Sequence, residues 1–176
     1  MAKKENIILF TNSYYPVLGG IQTVCSQIAK ESIKNDNFKL YVFTNKNPLK
    51  LKFIEMVEGV KVFRFLLGSP FEIPRNFKSF ILLILSFLFL PLTYIHLSIM
   101  FLILKPSIVN VHFPADQTKY ILALKFFFKF KLITSFHGHD VLRWLETSKK
   151  SSLYKNQLKL IAVSDEVTAC SNYLSR

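Results

Sequence analysis

The run Asn6-Ile-Ile-Leu-Phe-Thr11, the loop Asn12-Ser-Tyr-Tyr-Pro-Val-Leu-Gly-Gly20 and the stretch Ile21-Gln-Thr-Val-Cys-Ser-Gln-Ile-Ala29 together decide the fold. The first is a short apolar run ending in polar residues, the pattern of a buried strand. In the third, Ile21, Val24, Cys25, Ile28 and Ala29 recur at i, i+3, i+4, i+7 and i+8, one face of a helix that runs to about Lys34. Cys25 is therefore most simply a core residue. Asn35-Asp36-Asn37 turns the chain, and strands follow at Lys39–Thr44 and Val60–Leu66, with a polar loop beginning at Asn47-Pro48 between them.

Further along, Ile108–His112 and Lys131–Phe136 read as strands on either side of a helix over Asp116–Phe130. His137-Gly-His-Asp140 reads as the turn after the second of these strands. Ser151–Ser164 fits a helix better than a strand. Glu166–Cys170 reads as a sixth strand, with Ser171 capping a helix that starts as the chain stops. Strands alternating with helices at this spacing predict an α/β fold: a Rossmann-like parallel sheet with helices on both faces. The whole of 1–176 is expected to form one such domain, and a helix start at the last residues suggests a truncated one. No internal repeat is visible.

Phe80 to Leu104 contains no charged residue. Its length would reach across a bilayer, which takes about 20 apolar residues, but Pro91 lies near its middle and predicts a break into two helices. Within 77–104, read as an apolar helical insertion, the expected order of placements is buried in the fold, lying on a membrane surface, and spanning. Arg75, Lys78 and Lys105 flank the stretch and suit either anionic headgroups or simple solvation.

Composition narrows the function. Of the 176 residues, 51% are hydrophobic and 19% charged, which excludes disorder and coiled coils. The two cysteines, Cys25 and Cys170, cannot make a disulfide framework and suggest a reducing compartment. No signal-like segment precedes Ile7, so the start of the chain is expected in the cytoplasm. The net charge of +12 favours an anionic partner. Dispersed lysines without a nucleic-acid-binding signature put nucleic acid behind lipid headgroups and phosphorylated substrates.

The polar residues after each strand converge on one edge. Thr11, Asn12 and Gly19-Gly20 follow the first strand, and Thr44 and Asn45 the second. His112 closes the fourth, His137 follows the fifth and Ser171 the sixth. The carboxyl edge of an open parallel sheet is where ligands bind. Gly19-Gly20 before a helix suits close approach of a phosphate to free N–H groups, although the dinucleotide fingerprint is absent and an ordinary turn is the plainer alternative. His137, His139, Asp140 and His112 have metal-ligating chemistry. They lack the His-x-x-x-His spacing of a helical site, which leaves a metal hydrolase as a minor alternative. No Gly-x-Ser-x-Gly nucleophile elbow is present.

Four segments, in order over nearly the whole chain, resemble the family-4 glycosyltransferases, the retaining enzymes of GT-B fold. They are Asn12-Ser-Tyr-Tyr-Pro-Val-Leu-Gly-Gly-Ile-Gln-Thr-Val24, Lys105-Pro-Ser-Ile-Val-Asn-Val-His112, Thr134-Ser-Phe-His-Gly-His-Asp140 and Asp165-Glu-Val-Thr-Ala-Cys-Ser-Asn-Tyr-Leu174. Ser107 stands where the family usually has Asp. The resemblance implies the N-terminal, acceptor-side half of such an enzyme. His137 would contact the donor sugar at the reaction centre. Gly19, Gly20 and Ser171 would face the donor, while Tyr14, Tyr15, His112 and Asp140 would line the acceptor cleft. The reaction implied is retaining transfer, without metal or cofactor, from a nucleotide-sugar donor to a glycan or lipid-linked acceptor. It would take place in the cytoplasm or peripherally on the inner face of the plasma membrane. The second Rossmann-like domain, which in the family holds the nucleotide, has no counterpart here, so the isolated chain is expected to be inactive. The alternatives are a half-domain that pairs with a separate nucleotide-binding chain, and a small membrane protein.

Overall fold

In the computed structural model, the described residues are 4–46, 50–67, 77–115, 117–149 and 151–170, with backbone alone for 77–89 and 143. One sheet organises them. Strand β1 (Glu5–Thr11) lies at its centre, flanked by β2 (Phe38–Asn45) and β5 (Ile108–His112). Outward from β2 come β4 (Val60–Phe65) and β3 (Ile54–Val57). Outward from β5 come β6 (Lys131–Phe136) and β7 (Glu166–Ala169). All pairings are parallel except β3 with β4. The expected parallel α/β fold is therefore present. Its inner strands are legible in the sequence because strands covered on both faces become continuous apolar runs.

Two cores separate by strand parity. Ile8 and Phe10, Phe43, Phe63 and Phe65, Val109 and Val111 point to the face covered by α2 (Phe77–Leu104), α3 (Thr118–Phe127) and α5 (Ser152–Val163). Leu9, Val42 and Val62 point to the other face, where α1 (Gly20–Ile33) buries Cys25 and Ala29. Cys25 is a core residue, as its helical spacing predicts.

Three local expectations are corrected. The predicted break at Pro91 does not occur, because α2 runs through it as a single 28-residue helix. Proline removes one backbone hydrogen bond. Here that loss is offset beyond it: Thr93 donates to the Leu66 carbonyl at 3.0 Å, and Leu97 and Phe101 are fully packed into the core. Second, β3 was not predicted. It is a four-residue edge strand within the expected polar loop, too short to show periodicity, and it forms a hairpin with β4 through Glu58-Gly59. Third, the turn expected over His137–Asp140 holds the start of a helix, α4 (His139–Glu146). Gly138, at φ 100°, supplies the reversal between β6 and α4.

The β3–β4 turn yields a direct test. Glu58 (φ 49°) and Gly59 (φ 83°) both occupy the left-handed region, as a two-residue hairpin requires. A Cβ on Gly59 would lie 2.9 Å from Ile33 Cδ1. Gly59→Ala is therefore expected to destabilise the domain by about 1–2 kcal/mol, read as a lower chemical-denaturation midpoint. An unchanged midpoint would contradict the hairpin geometry.

Candidate functional site

The register sets the site. Thr11 pairs with His112, and His112 pairs with Ser135, so β1, β5 and β6 end side by side and release their loops at one edge. His137, one residue past β6, turns back to His112: Nδ1 of His112 and Nε2 of His137 lie 2.9 Å apart. The rings tilt by 32° with centroids 5.1 Å apart. One ring must donate its N–H to the other's lone pair, so the contact needs at least one neutral imidazole. Burial, with His137 adding its own charge, lowers the His112 pKa to about 4. Burial lowers that of His137 as well, against an opposing pull from Asp140. Both rings are therefore neutral at pH 7. His112 Nε2 is buried with no hydrogen-bond partner among the described residues.

The loops behind the pair are held from below. The Asp140 carboxylate is buried and accepts from the His137 N–H at 2.9 and 3.1 Å, and from the Val141 N–H at 3.0 Å. Its contacts fix the His137 backbone at the start of α4. After β5, Phe113 takes a left-handed φ of 53°. Gln117, fully buried, donates to the Phe113 carbonyl at 2.8 Å and accepts from the Ala115 N–H at 3.1 Å. Gln157 of α5 donates to the Pro114 carbonyl at 2.8 Å. His139 points elsewhere: it stacks on Phe113 at 11°. Among the described residues no group of three His, Cys, Asp or Glu is placed to hold a metal ion.

The β1–α1 loop forms the neighbouring wall. Helix α1 starts at Gly20 with no side-chain cap and no acidic residue in its first turn, which leaves its N–H groups and positive dipole end open to an anion. A Cβ on Gly20 would meet nothing within 4 Å. Tyr14 and Tyr15 divide: Tyr14 is buried in the α1 core, whereas Tyr15 is half exposed. Arg64 Nη2 donates to the Tyr15 carbonyl at 2.6 Å and so ties this loop to β4.

Gly19, Gly20, Tyr15, His112, His137 and Asp140 thus belong to adjacent strand ends, and Tyr14 supports them from the core. Ser171 lies outside the described residues. Arg64, Gln117 and Gln157 are additions that the sequence does not reveal. Each of them donates to a backbone carbonyl of a loop, and no pattern of residue types marks such contacts. An apolar cavity of about 610 Å³ lies away from this edge on the sheet face beside α1. Ile7, Leu9, Ile28, Ile108 and Ile133 supply its apolar lining, with Gln27, Glu31, Ser32, Asn35 and Asn110 as its polar residues.

A parallel sheet with its polar groups gathered at the carboxyl edge matches the fold of GT-B glycosyltransferases. A sucrose-phosphate synthase from Thermosynechococcus elongatus superposes over 93% of this chain and 42% of its own, with a TM-score of 0.62 and 14% identity. A second structure of that synthase covers 97% of this chain and 79% of its own, with a TM-score of 0.56 and 16% identity. The model of Glycosyltransferase Family 4 matches residues 18–176, and the chain belongs to that family. An uncharacterized glycosyltransferase of Methanocaldococcus jannaschii is 29% identical over 75 residues. That match takes in 43% of this chain and 18% of the relative's length.

Proposed function

We propose that the chain is the acceptor-side half of a glycosyltransferase that moves a sugar, with retention, from a nucleotide-sugar donor to a glycan or lipid-linked acceptor. The observation carrying this reading is the juxtaposition of an uncapped helix start behind Gly19-Gly20 with the neutral, hydrogen-bonded His112–His137 pair on the next strand ends. The N–H groups at Gly20 receive the donor diphosphate. His137, held by Asp140 through its backbone and by His112 through its ring, offers its remaining edge to the donor sugar. Tyr15, His112 and the Asp140 loop border the acceptor. With Nδ1 of one ring facing Nε2 of the other, the pair serves hydrogen bonding rather than metal ligation. The reading therefore takes neither metal nor cofactor, the nucleotide sugar being a substrate, and no nucleic-acid partner. The reaction is placed on the cytoplasmic side, peripheral to the plasma membrane.

A donor bound on one wall needs a second wall to hold its nucleotide, which a second Rossmann-like domain provides, in the same polypeptide or as a separate chain. The isolated 176-residue chain is accordingly expected to transfer no sugar from a panel of labelled nucleotide sugars. Together with that second domain, the chain is expected to transfer from one of them, with the product anomer matching the donor by NMR. His137→Ala lowers that rate by at least about a hundredfold, the scale of a lost group that stabilises the transition state. Transfer by the isolated chain, or an inverted anomer, overturns the reading.

A further inference from the structure

Over residues 90–104 of α2, the outer surface is as apolar as the inner one. Thr93, Leu97, Met100 and Phe101 are buried against the sheet. Leu92, Ile95, Ile99, Leu102 and Ile103 recur at i, i+3, i+7, i+10 and i+11 on the opposite side, and all five are exposed. The end of α3 extends this surface. Phe127 meets Tyr94 of α2 with ring centroids 6.5 Å apart, and Phe126 and Phe127 are 84% and 69% exposed. Scattered exposed apolar residues need no explanation, but a contiguous helical stripe with two adjoining phenylalanines marks a surface that is covered in use.

Charge identifies what covers it. Between Glu72 and Asp140 the only acidic residue is Asp116, against seven Lys and Arg in the same span. Lys105 and Lys129, both exposed, line one groove of about 180 Å³ with Phe101, Leu102 and Phe128 at the joint ends of α2 and α3. An apolar stripe edged by lysines that have no acidic partner among the described residues fits anionic lipid. Among the described residues no helix is long and apolar enough to cross a membrane. Over residues 90–104 the inner side of α2 is committed to the core, so this part of the helix presents only its outer side.

We propose that the exposed stripe of α2, with Phe126 and Phe127, docks flat on an anionic bilayer, and that Lys105 and Lys129 bind its headgroups. The inference stands on this surface alone, independent of the transfer chemistry.

Flotation of the purified chain with vesicles tests it, using phosphatidylcholine alone and phosphatidylcholine with one-third phosphatidylglycerol. The chain is expected to float with the phosphatidylglycerol vesicles and to be released progressively by salt. Each lysine contributes roughly a fivefold preference at an anionic surface, so Lys105→Gln with Lys129→Gln lowers that partition by roughly 25-fold. Leu102→Glu with Ile103→Glu abolishes flotation while the thermal transition stays unchanged, because both side chains are exposed. Failure to float with phosphatidylglycerol, or flotation unaffected by the glutamates, overturns the proposal. So does a lipid-free dimer that the same glutamates dissolve, which would make the stripe an interface between copies.

Discussion

Acidification from pH 7.5 to pH 4 is expected to destabilise the domain by about 3 kcal/mol through His112 alone. The imidazole is buried, and burial with the facing His137 lowers its pKa from 6.5 to about 4. Above pH 6.5 His112 is neutral in the folded and unfolded chains alike and contributes nothing to the pH dependence. As the pH falls from 6.5 towards 4, the unfolded chain takes up a proton that the folded chain refuses. Stability then drops by about 1.4 kcal/mol per unit. Below pH 4 both states are protonated and the loss stops growing. His137, also lowered, adds in the same direction. Asp36, Glu58 and Asp165 are exposed carboxylates held below their ordinary range by Lys4, Lys30 and the Leu132 amide respectively. They lose their contribution only as the pH falls below about 4.5, so the window from 4.5 to 6.5 belongs to the histidines. Urea denaturation at half-unit pH steps should show this slope. His112→Asn, whose amide can replace Nδ1 towards His137, should flatten most of it. Equal slopes in the two proteins would mean that His112 is not held neutral. The folded site keeps its hydrogen-bonded pair through this window, because one neutral ring suffices, and loses it only below about pH 4, where two imidazolium rings cannot share the 2.9 Å contact.

How much of this was legible in the sequence depends on whether the cause is local. β1, β2, β4, β5 and β6 were legible because a strand buried on both faces declares itself by composition. The helix preference of α1 was legible because its spacing from Ile21 to Ala29 holds without reference to anything else. Pro91 misled for the converse reason. The rule that proline breaks a helix is local, whereas the forces that keep α2 whole are contacts of Thr93 with Leu66 and of Phe101 with Phe43, Phe128 and Phe130. The placement of His112 and His137 at the carboxyl edge followed from the strand assignments. Their direct contact did not, because it depends on His112 standing opposite Ser135, a register that no single strand encodes. Gln117 and Gln157 are further removed: an uncharged polar residue in an amphipathic helix gives no sign that it will be buried beneath a loop.

Replacing Arg64 is expected to have the larger effect on both stability and site, although nothing in the sequence singles it out. On β4, Val60, Val62 and Arg64 share the face towards α1, so the guanidinium continues a buried valine stripe and is itself only 1% exposed. It is ion-paired with Glu55 of β3 and donates to the Tyr15 carbonyl in the loop before Gly19-Gly20. One side chain thus joins the antiparallel edge of the sheet to the loop that opens α1. Arg64→Met preserves most of the volume but leaves the Glu55 carboxylate partly buried without its cation, and leaves the Tyr15 carbonyl without its donor. Removing one partner of a buried pair is costly by about 3–5 kcal/mol, which for a domain of this size lowers the thermal midpoint by roughly 10 °C. Adding Glu55→Leu should restore part of that loss, because the stranded charge goes with it. The double variant would still lack the tether to Tyr15. Hydrogen exchange separates the two effects: in the double variant the amides from Tyr15 to Gly20 should exchange faster, while those of β6 keep their protection. Uniformly faster exchange would make Arg64 a stability residue alone. Selective loss around Tyr15 makes it the residue that positions the Gly19-Gly20 loop against the His112–His137 pair.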